Sequence, residues 1–224
     1  MPVHASLRRP PTVQDLKTSF VARSITLLGL DGIGRSVAMQ MAMLGACRLH
    51  LVDTRRVDRG RAALEGYFQT DVGSLRAAAT GQLCHEVQPM MCVQSVTDGK
   101  LRARDLGETV IAMGGPWLEQ LSVACRPGWM FFVGVQVVVH REIIALRRWD
   151  GYASPGSLAA RLNRWRKQQR ANCCAPHIAA VAAGLVTREL TSPMEDRPAR
   201  TQVRMDVATL DVRVEKGPDT AAGD

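Results

Sequence analysis

The chain has 224 residues, of which 46% are apolar and 22% charged, and its formal net charge is +8. No apolar run reaches the ~20 residues needed to cross a bilayer, so a membrane-embedded protein is excluded and a cytoplasmic protein is expected. We expect an amino-terminal arm over residues 1–20, a single domain over residues 21–216 and a disordered tail over residues 217–224.

Most of the positive charge is arginine, which accounts for 25 of the 29 basic residues. The densest basic segment, residues 161–170, has Leu158, Leu162 and Trp165 at helical spacing, so its arginines are interpreted as the solvated side of a helix. No RNA-stacking aromatic motif or helix-turn-helix pattern accompanies this segment. Nucleic-acid binding is therefore not expected.

The six cysteines have neither a Cys-x-x-Cys pair nor a Cys/His spacing suited to zinc. A disulfide framework or a zinc site is therefore not expected, and the cysteines in apolar segments are expected to be buried as small hydrophobic residues. These are Cys47, Cys84, Cys92 and Cys125.

The first predicted elements are a strand, a glycine turn, a helix and a second strand. The apolar run of residues 24–28 predicts the first strand, and an amphipathic helix follows until Gly45. Residues 48–52 alternate as a second strand that ends at Asp53. Such a βαβ crossover implies a parallel sheet covered by helices.

The remaining elements are predicted to extend this sheet. Residues 72–87 suit a helix, residues 91–96 and 109–113 suit strands, and residues 129–139 with 142–146 suit a hairpin. Residues 176–190 suit a helix that packs closely, and residues 202–207 and 210–214 predict a closing antiparallel hairpin. The expected fold class is α/β, with a doubly wound, mainly parallel Rossmann-like sheet and an antiparallel carboxyl-terminal extension.

The glycine turn after the first strand has the features of a nucleotide site. Glycines let the backbone approach phosphate oxygens, and a helix amino terminus presents N–H groups with partial positive charge. An acid at the end of the second strand can accept hydrogen bonds from ribose hydroxyls. The expected nucleotide-binding residues are Gly29, Asp31, Gly32, Gly34 and Asp53. A tight turn without a ligand is the alternative interpretation.

The glycines are spaced G-x-x-G-x-G rather than in the G-x-G-x-x-G pattern of dehydrogenases. With this turn, residues 24–58 resemble the ThiF/MoeB/E1 family, the ATP-dependent activators of ubiquitin-like and sulfur-carrier proteins. Residues 66–73 (GYFQTDVG) resemble the loop that leads to that family's "DVGxxK" segment, and residues 172–176 resemble the start of its late helix. The resemblance covers nearly the whole chain and is most specific in its amino-terminal part.

The resemblance implies a protein that binds ATP and adenylates the C-terminal carboxylate of a small β-grasp protein, of the ubiquitin-like or sulfur-carrier type. Arg76 takes the position of the family's lysine, and Arg61 is the nearest candidate for its conserved-motif arginine. Both are candidate catalytic residues, and Arg76 is also a candidate nucleotide-binding residue. Cys173 and Cys174 are either thiol carriers, as some members of the family use, or small packing residues at a helix start.

The chain departs from the family's pattern at the metal site. The family's magnesium-binding aspartate follows the fourth strand, but residues 111–117 contain no acid, and Arg55 stands where the second aspartate of "LVDxD" would fall. Mg²⁺ would then be held weakly, by ATP itself and by Asp31 or Asp53. Two alternatives stand beside an active enzyme: a non-catalytic E1-like subunit that stabilises an active partner, and an NAD(P)-dependent oxidoreductase.

The resemblance also implies a homodimer, or a heterodimer with an E1-like partner. Aromatic side chains that we expect to be exposed support an interface of this kind, since a lone α/β domain has little reason to display them. They are Tyr67, Phe68 and Trp117.

Overall fold

The computed structural model describes residues 24–46, 48–98, 107, 109–113, 133–140, 143–150, 175–191 and 200–216. None of the helices in these ranges has the length and apolar character to cross a membrane. In chain order the elements are β1 (Ser24–Leu28), α1 (Gly32–Met43), β2 (Arg48–Val52), a 3-10 turn (Gln69–Asp71), α2 (Arg76–Val87), β3 (Cys92–Val96), β4 (Thr109–Ala112), β5 (Val133–His140), β6 (Ile143–Asp150), α3 (Pro176–Thr191), β7 (Arg200–Asp206) and β8 (Asp211–Lys216).

The strands form one eight-stranded sheet in the order β3-β2-β1-β4-β5-β6-β7-β8. The strands from β3 to β5 in that order run parallel, whereas β6, β7 and β8 each run antiparallel to the strand before them. The predicted fold class is therefore confirmed. Because the chain winds from β1 out to β3 and then returns to β4, the carboxyl ends of β1 and β4 flank the switch point where α/β sheets bind ligands.

The core lies between the sheet and the helices that cover it. In a sheet with one solvent-exposed face, buried and exposed residues alternate along each strand. Here β1 and β2 are instead buried along almost their whole length. Helices α1 and α3 pack against one another, and the small side chains of Ala179, Ala182 and Ala183 are buried where α3 meets the core. Small residues allow this close helix packing, as the alanine-rich sequence of α3 predicts.

Among the described residues most predicted boundaries lie within about two residues of the observed ones, and two differ by more. The helix predicted from residue 72 begins at Arg76, because Gly73 has a φ of +88°, which a right-handed helix does not contain. The strand predicted over residues 142–146 continues to Asp150 as β6, because its residues pair with β5 along the full length of that strand. Both differences come from backbone geometry and pairing rather than from hydrophobic pattern.

The cysteines only partly follow expectation. Cys84 is buried, and burial raises the pKa of its thiol to about 12, so it stays protonated. The expectation for Cys92 was wrong: it is exposed, because it begins β3 at the edge of the sheet. Other predictions concern residues outside the described ranges, namely the arm over 1–20, Cys47, Cys125, the basic helix near 161–170, Cys173, Cys174 and the tail over 217–224.

Gly34 allows the first turn of α1 to touch the turn before it, since a Cβ there would lie 2.0 Å from the carbonyl oxygen of Gly29. We expect Gly34→Ala to lower the free energy of unfolding by about 3 kcal/mol or more, because the two backbones would have to separate. Urea unfolding followed by circular dichroism measures this change.

Gly184→Ala is the matched control on α3, because a Cβ there meets nothing within 4 Å. Alanine is the better helix former, so this variant should gain about 0.5–1 kcal/mol. Equal stability of Gly34→Ala and the parent would contradict the close approach of turn and helix.

Candidate functional site

The glycines of the β1–α1 turn are required by the backbone itself. Gly29 has a φ of +92°, and its N–H donates to the carbonyl oxygen of Val52 at 2.9 Å. A Cβ on Gly34 would collide with Gly29, and a Cβ on Gly32 would lie 3.3 Å from the Cα of Glu65. The glycines predicted to bind a nucleotide therefore also serve packing contacts that need no ligand.

Asp31 caps the amino terminus of α1. Its Oδ1 accepts hydrogen bonds from the backbone N–H groups of Ile33 at 3.1 Å and Gly34 at 3.2 Å. Burial raises the pKa of Asp31 to about 6, although the hydrogen bond from Gly34 and the charge of Arg55 oppose this rise. The N–H groups that we expected to bind phosphate therefore donate to a carboxylate of the chain itself.

Asp53 lies at the end of β2 with no exposed surface. Its Oδ2 accepts from the N–H of Leu30 at 2.8 Å and from Nη2 of Arg55 at 2.7 Å. Its Oδ1 accepts from the backbone N–H and Nε of Arg55 at 2.9 and 3.0 Å. Burial disfavours the charged form of Arg55, but the hydrogen bonds and charge of Asp53 outweigh it and raise the pKa of that guanidinium.

The two candidate catalytic arginines meet on one buried carboxylate, that of Glu65. Arg76 begins α2, is buried, and donates from Nη2 to Glu65, while its Nε donates to the carbonyl oxygen of Arg56 at 3.3 Å. Arg61 approaches the other oxygen of Glu65 at 3.3 Å, and its side chain is 40% exposed. The structure therefore brings Arg61 and Arg76 together, and Glu65 decides where Arg76 points.

Tyr67 fills the space beside the turn. Its hydroxyl donates to the carbonyl oxygen of Leu30 at 2.6 Å, and the guanidinium of Arg35 lies 4.4 Å from the centre of its ring. Burial raises the pKa of Tyr67 and lowers that of Arg35. The expectation that Tyr67 is exposed was therefore wrong. Phe68 is 56% exposed, as expected, and Trp117 lies outside the described residues.

Three acids and the arginines that act on them form one charge cluster near the carboxyl ends of β1 and β2. Its members are Asp31, Asp53, Glu65, Arg55, Arg61 and Arg76. The charges of Arg55 and Glu65 both act on Asp31, and the charges of Asp31, Asp53 and Glu65 all act on Arg55. The three carboxylates are each at least nine-tenths buried. A ligand that binds the carboxylate of Asp53, or the N–H groups of Ile33 and Gly34, must replace one of these internal contacts. Nη1 of Arg76 is buried without a hydrogen-bond partner in the structure, so an anion can bind there without such a replacement.

The cluster does not fit a magnesium site held by Asp31 or Asp53. Both oxygens of Asp53 already accept N–H donors, and Asp31 caps α1. In the part of the chain that the structure describes, no three His, Cys, Asp or Glu side chains gather to hold a metal. Residues 114–117, which follow β4, lie outside that part.

Two residues of the cluster, Arg55 and Glu65, were not predicted, nor was Arg35, which lies beside it against Tyr67. An arginine two residues after a strand-terminal acid, as in Asp53-Thr54-Arg55, is a sequence signal for a pair of this kind. Glu65 lies four residues after Arg61 and is the one acid between Asp58 and Asp71, so it is the local candidate for a partner. No comparable signal marks Arg35.

The fold is shared with solved structures. A structure of E. coli MccB with AMPCPP and MccA gives a TM-score of 0.68 at 12% identity, over 93% of this chain and 68% of that one. PaaA gives 0.67 at 15% identity, over 90% and 75%. E. coli MccB with ATP gives 0.63 at 13% identity, over 90% and 66%.

The chain thus spans about two thirds of the length of the MccB chains that it matches. No protein-family model matches the sequence, and the comparison with curated proteins gives no match. At these identities the likeness establishes the fold, and that fold is the one expected from the resemblance to the ThiF/MoeB/E1 family.

The buried pair of Arg76 and Glu65 yields a stability prediction. Removing one partner leaves a charge buried, so Arg76→Met should lower the free energy of unfolding by about 3–5 kcal/mol. The double variant with Glu65→Leu should recover most of this loss, because neither charge of this pair then remains buried. Chemical unfolding of the two single variants, the double variant and the parent gives the coupling energy.

The exposed pair of Arg213 and Asp211, which join at 3.0 Å on β8, is the matched control. Arg213→Met should change the stability by less than ~0.5 kcal/mol, since exposed pairs contribute little. If the stability losses of Arg76→Met and Glu65→Leu instead add up in the double variant, the two side chains do not interact as a buried ion pair.

The raised pKa of Asp31 predicts a dependence of stability on pH. Folding raises this pKa from its ordinary 3.8 to about 6, so the folded protein binds the proton more tightly than the unfolded chain does. The contribution of Asp31 is fully present below pH ~4 and is lost as the pH rises past ~6, a change of about 3 kcal/mol.

Asp31→Asn removes this titration and keeps a side chain that can cap the helix. Unfolding of the parent and the variant in urea from pH 4 to pH 8 measures the difference between their stabilities. Parallel curves over this range would show that Asp31 titrates normally.

Proposed function

We propose that the chain is an E1-like ATP-binding protein that adenylates the C-terminal carboxylate of a small protein. One observation carries this proposal: the glycine turn, Asp53 and Arg76 meet in one cluster at the carboxyl ends of β1 and β2. That end of the sheet is where α/β folds bind nucleotides. The likeness to MccB structures that contain ATP, or AMPCPP with MccA, supports it.

In this reaction a carboxylate oxygen of the substrate forms a bond to the α-phosphorus of ATP, and the bond from that phosphorus to the bridging oxygen breaks. The products are an acyl-adenylate and pyrophosphate. The demand on the protein is positioning and the neutralisation of negative charge. Arg76 and Arg61 are our candidates for that charge, and Asp53 is our candidate for the ribose contact. A β-grasp protein of the ubiquitin-like or sulfur-carrier type is the proposed substrate.

A non-catalytic E1-like subunit is the second candidate. Asp53 is engaged by Arg55, and Arg76 by Glu65, so the groups needed for catalysis already serve the structure of the chain. The sequence also has no acid over residues 111–117 to hold a metal. Such a chain would stabilise a complete E1-like partner in a heterodimer, whereas the active enzyme would form a homodimer.

The experiment combines nucleotide binding with ATP–pyrophosphate exchange. Calorimetry should give tighter binding of ATP than of NAD, and preference for NAD would indicate the oxidoreductase instead. Exchange by the isolated chain with a β-grasp protein ending in Gly-Gly should be weak, since each missing electrostatic contact in the transition state costs roughly 10²- to 10³-fold in rate.

Arg76→Lys and Arg76→Ala should separate a role in exchange from a role in folding, with Arg213→Ala on β8 as the control. Exchange that falls in Arg76→Ala and persists in Arg76→Lys supports the enzyme. Exchange that requires an added complete E1-like protein indicates the subunit. Robust exchange that no Arg76 variant changes would contradict the proposed site.

A further inference from the structure

Two side chains of the cluster occupy the hydrogen-bonding groups that a nucleotide would use. Arg55 takes the carboxylate of Asp53, and Asp31 takes the N–H groups of Ile33 and Gly34. The contact of Arg55 with Asp53 competes with the ribose, and the contact of Asp31 with the N–H groups competes with the phosphates. The two effects can therefore be tested separately.

The Arg55 contact saturates Asp53. A carboxylate has about four lone-pair positions, and Asp53 accepts four N–H donors, three of them from Arg55. A neutral ribose hydroxyl must therefore displace a charged, two-pronged contact before it can reach the carboxylate. Displacement is possible because the Arg55 side chain is 45% exposed and can turn into water, whereas the N–H of Leu30 is fixed in the turn.

The Asp31 contact opposes phosphate directly. Its carboxylate accepts from the N–H groups at the start of α1, where the helix dipole favours a negative charge. A phosphate that approaches the same groups meets a like charge, and the nearby carboxylate of Glu65 adds to the repulsion. Asp31 must therefore leave its cap, or take up a proton, before a phosphate can bind there.

We infer that Arg55 and Asp31 determine the nucleotide affinity of this chain, Arg55 by competing with ribose for Asp53 and Asp31 by competing with phosphate for the amino terminus of α1. This inference rests on the proposed nucleotide-binding function. Both residues lie at the proposed nucleotide site and weaken binding there. Removal of either side chain should therefore strengthen binding.

Calorimetry with adenosine, inorganic tripolyphosphate and ATP tests this on the full chain. Arg55→Ala should tighten adenosine binding about tenfold or more, because a charged competitor for Asp53 is lost. It should not tighten tripolyphosphate binding, because Arg55 does not compete for the N–H groups of α1 and its positive charge near Asp31 is removed. Asp31→Gly should tighten tripolyphosphate binding about tenfold or more and leave adenosine unchanged. Glycine is an acceptable cap, so α1 should persist.

Arg55→Lys and Asp31→Ser are the second variants should a first one fail to fold. Lysine lacks the two-pronged contact with Asp53, and serine caps a helix without a charge. Arg213→Ala and Asp206→Gly, in the β7–β8 hairpin, are matched controls for loss of an arginine or an aspartate. They should leave every affinity unchanged.

The outcomes separate the inference from the proposed function. Tighter binding of each probe by its own variant supports the inference. A parent that binds ATP, with variants that bind their probes no more tightly, overturns the inference and leaves the proposed function standing. Failure of the parent and of the Arg55→Lys, Asp31→Ser double variant to bind any of the three probes overturns both. Tripolyphosphate binding that is weakened only by Arg213→Ala also overturns the inference, because the anion then binds at the β7–β8 hairpin and not at the start of α1.

Discussion

The carboxylate of Asp53 has no contact with solvent, and the shape of the whole turn depends on how the chain satisfies it. An ionised carboxylate that is buried without partners costs several kcal/mol. Here the N–H of Leu30 and three donors of Arg55 satisfy it. Because Gly29 also donates to the carbonyl of Val52, the turn after β1 is held against the end of β2 at two successive positions.

The same constraint organises the segment that follows β2. The carbonyl of Arg55 accepts from the N–H of Arg76, and Arg56 pairs with Leu75, so the start of α2 is held beside the end of β2. Arg76 is thereby brought next to Glu65, and each neutralises the other in a buried position. A phosphate that draws Arg76 away would leave Glu65 with Arg61 alone. If Arg76 has the role that we propose for it, the contact with phosphate would compete with the stability of the loop for the Nη2 group of one guanidinium.

Most of the fold was predictable because it depends on local patterns. β1 and β2 have the predicted bounds, and the parallel arrangement follows from the strand, turn, helix and strand order. The start of α2 was missed because the positive φ of Gly73 leaves no trace in hydrophobic periodicity. Tyr67 was expected at the surface because its partner, the carbonyl of Leu30, lies 37 residues away in the sequence.

The site was predictable only in outline, for a physical reason. The sequence identifies Asp53, Arg61 and Arg76 as charged residues of the same region, and the structure does place them in one cluster. Which cation neutralises which acid depends on distances of a few ångströms and on burial. Arg55 and Glu65 are therefore visible as charges in the sequence but not as partners.

The glycine pattern alone cannot distinguish a turn that binds a nucleotide from one that does not. Gly29 needs its positive φ, and Gly34 needs contact with Gly29, whether or not phosphate is bound. The difference lies in the side chains that complete the hydrogen bonds of the turn. In this chain Asp31 and Arg55 complete them. These two side chains, rather than the glycines, are therefore where we expect this chain to differ from other proteins of the same fold in its affinity for a nucleotide.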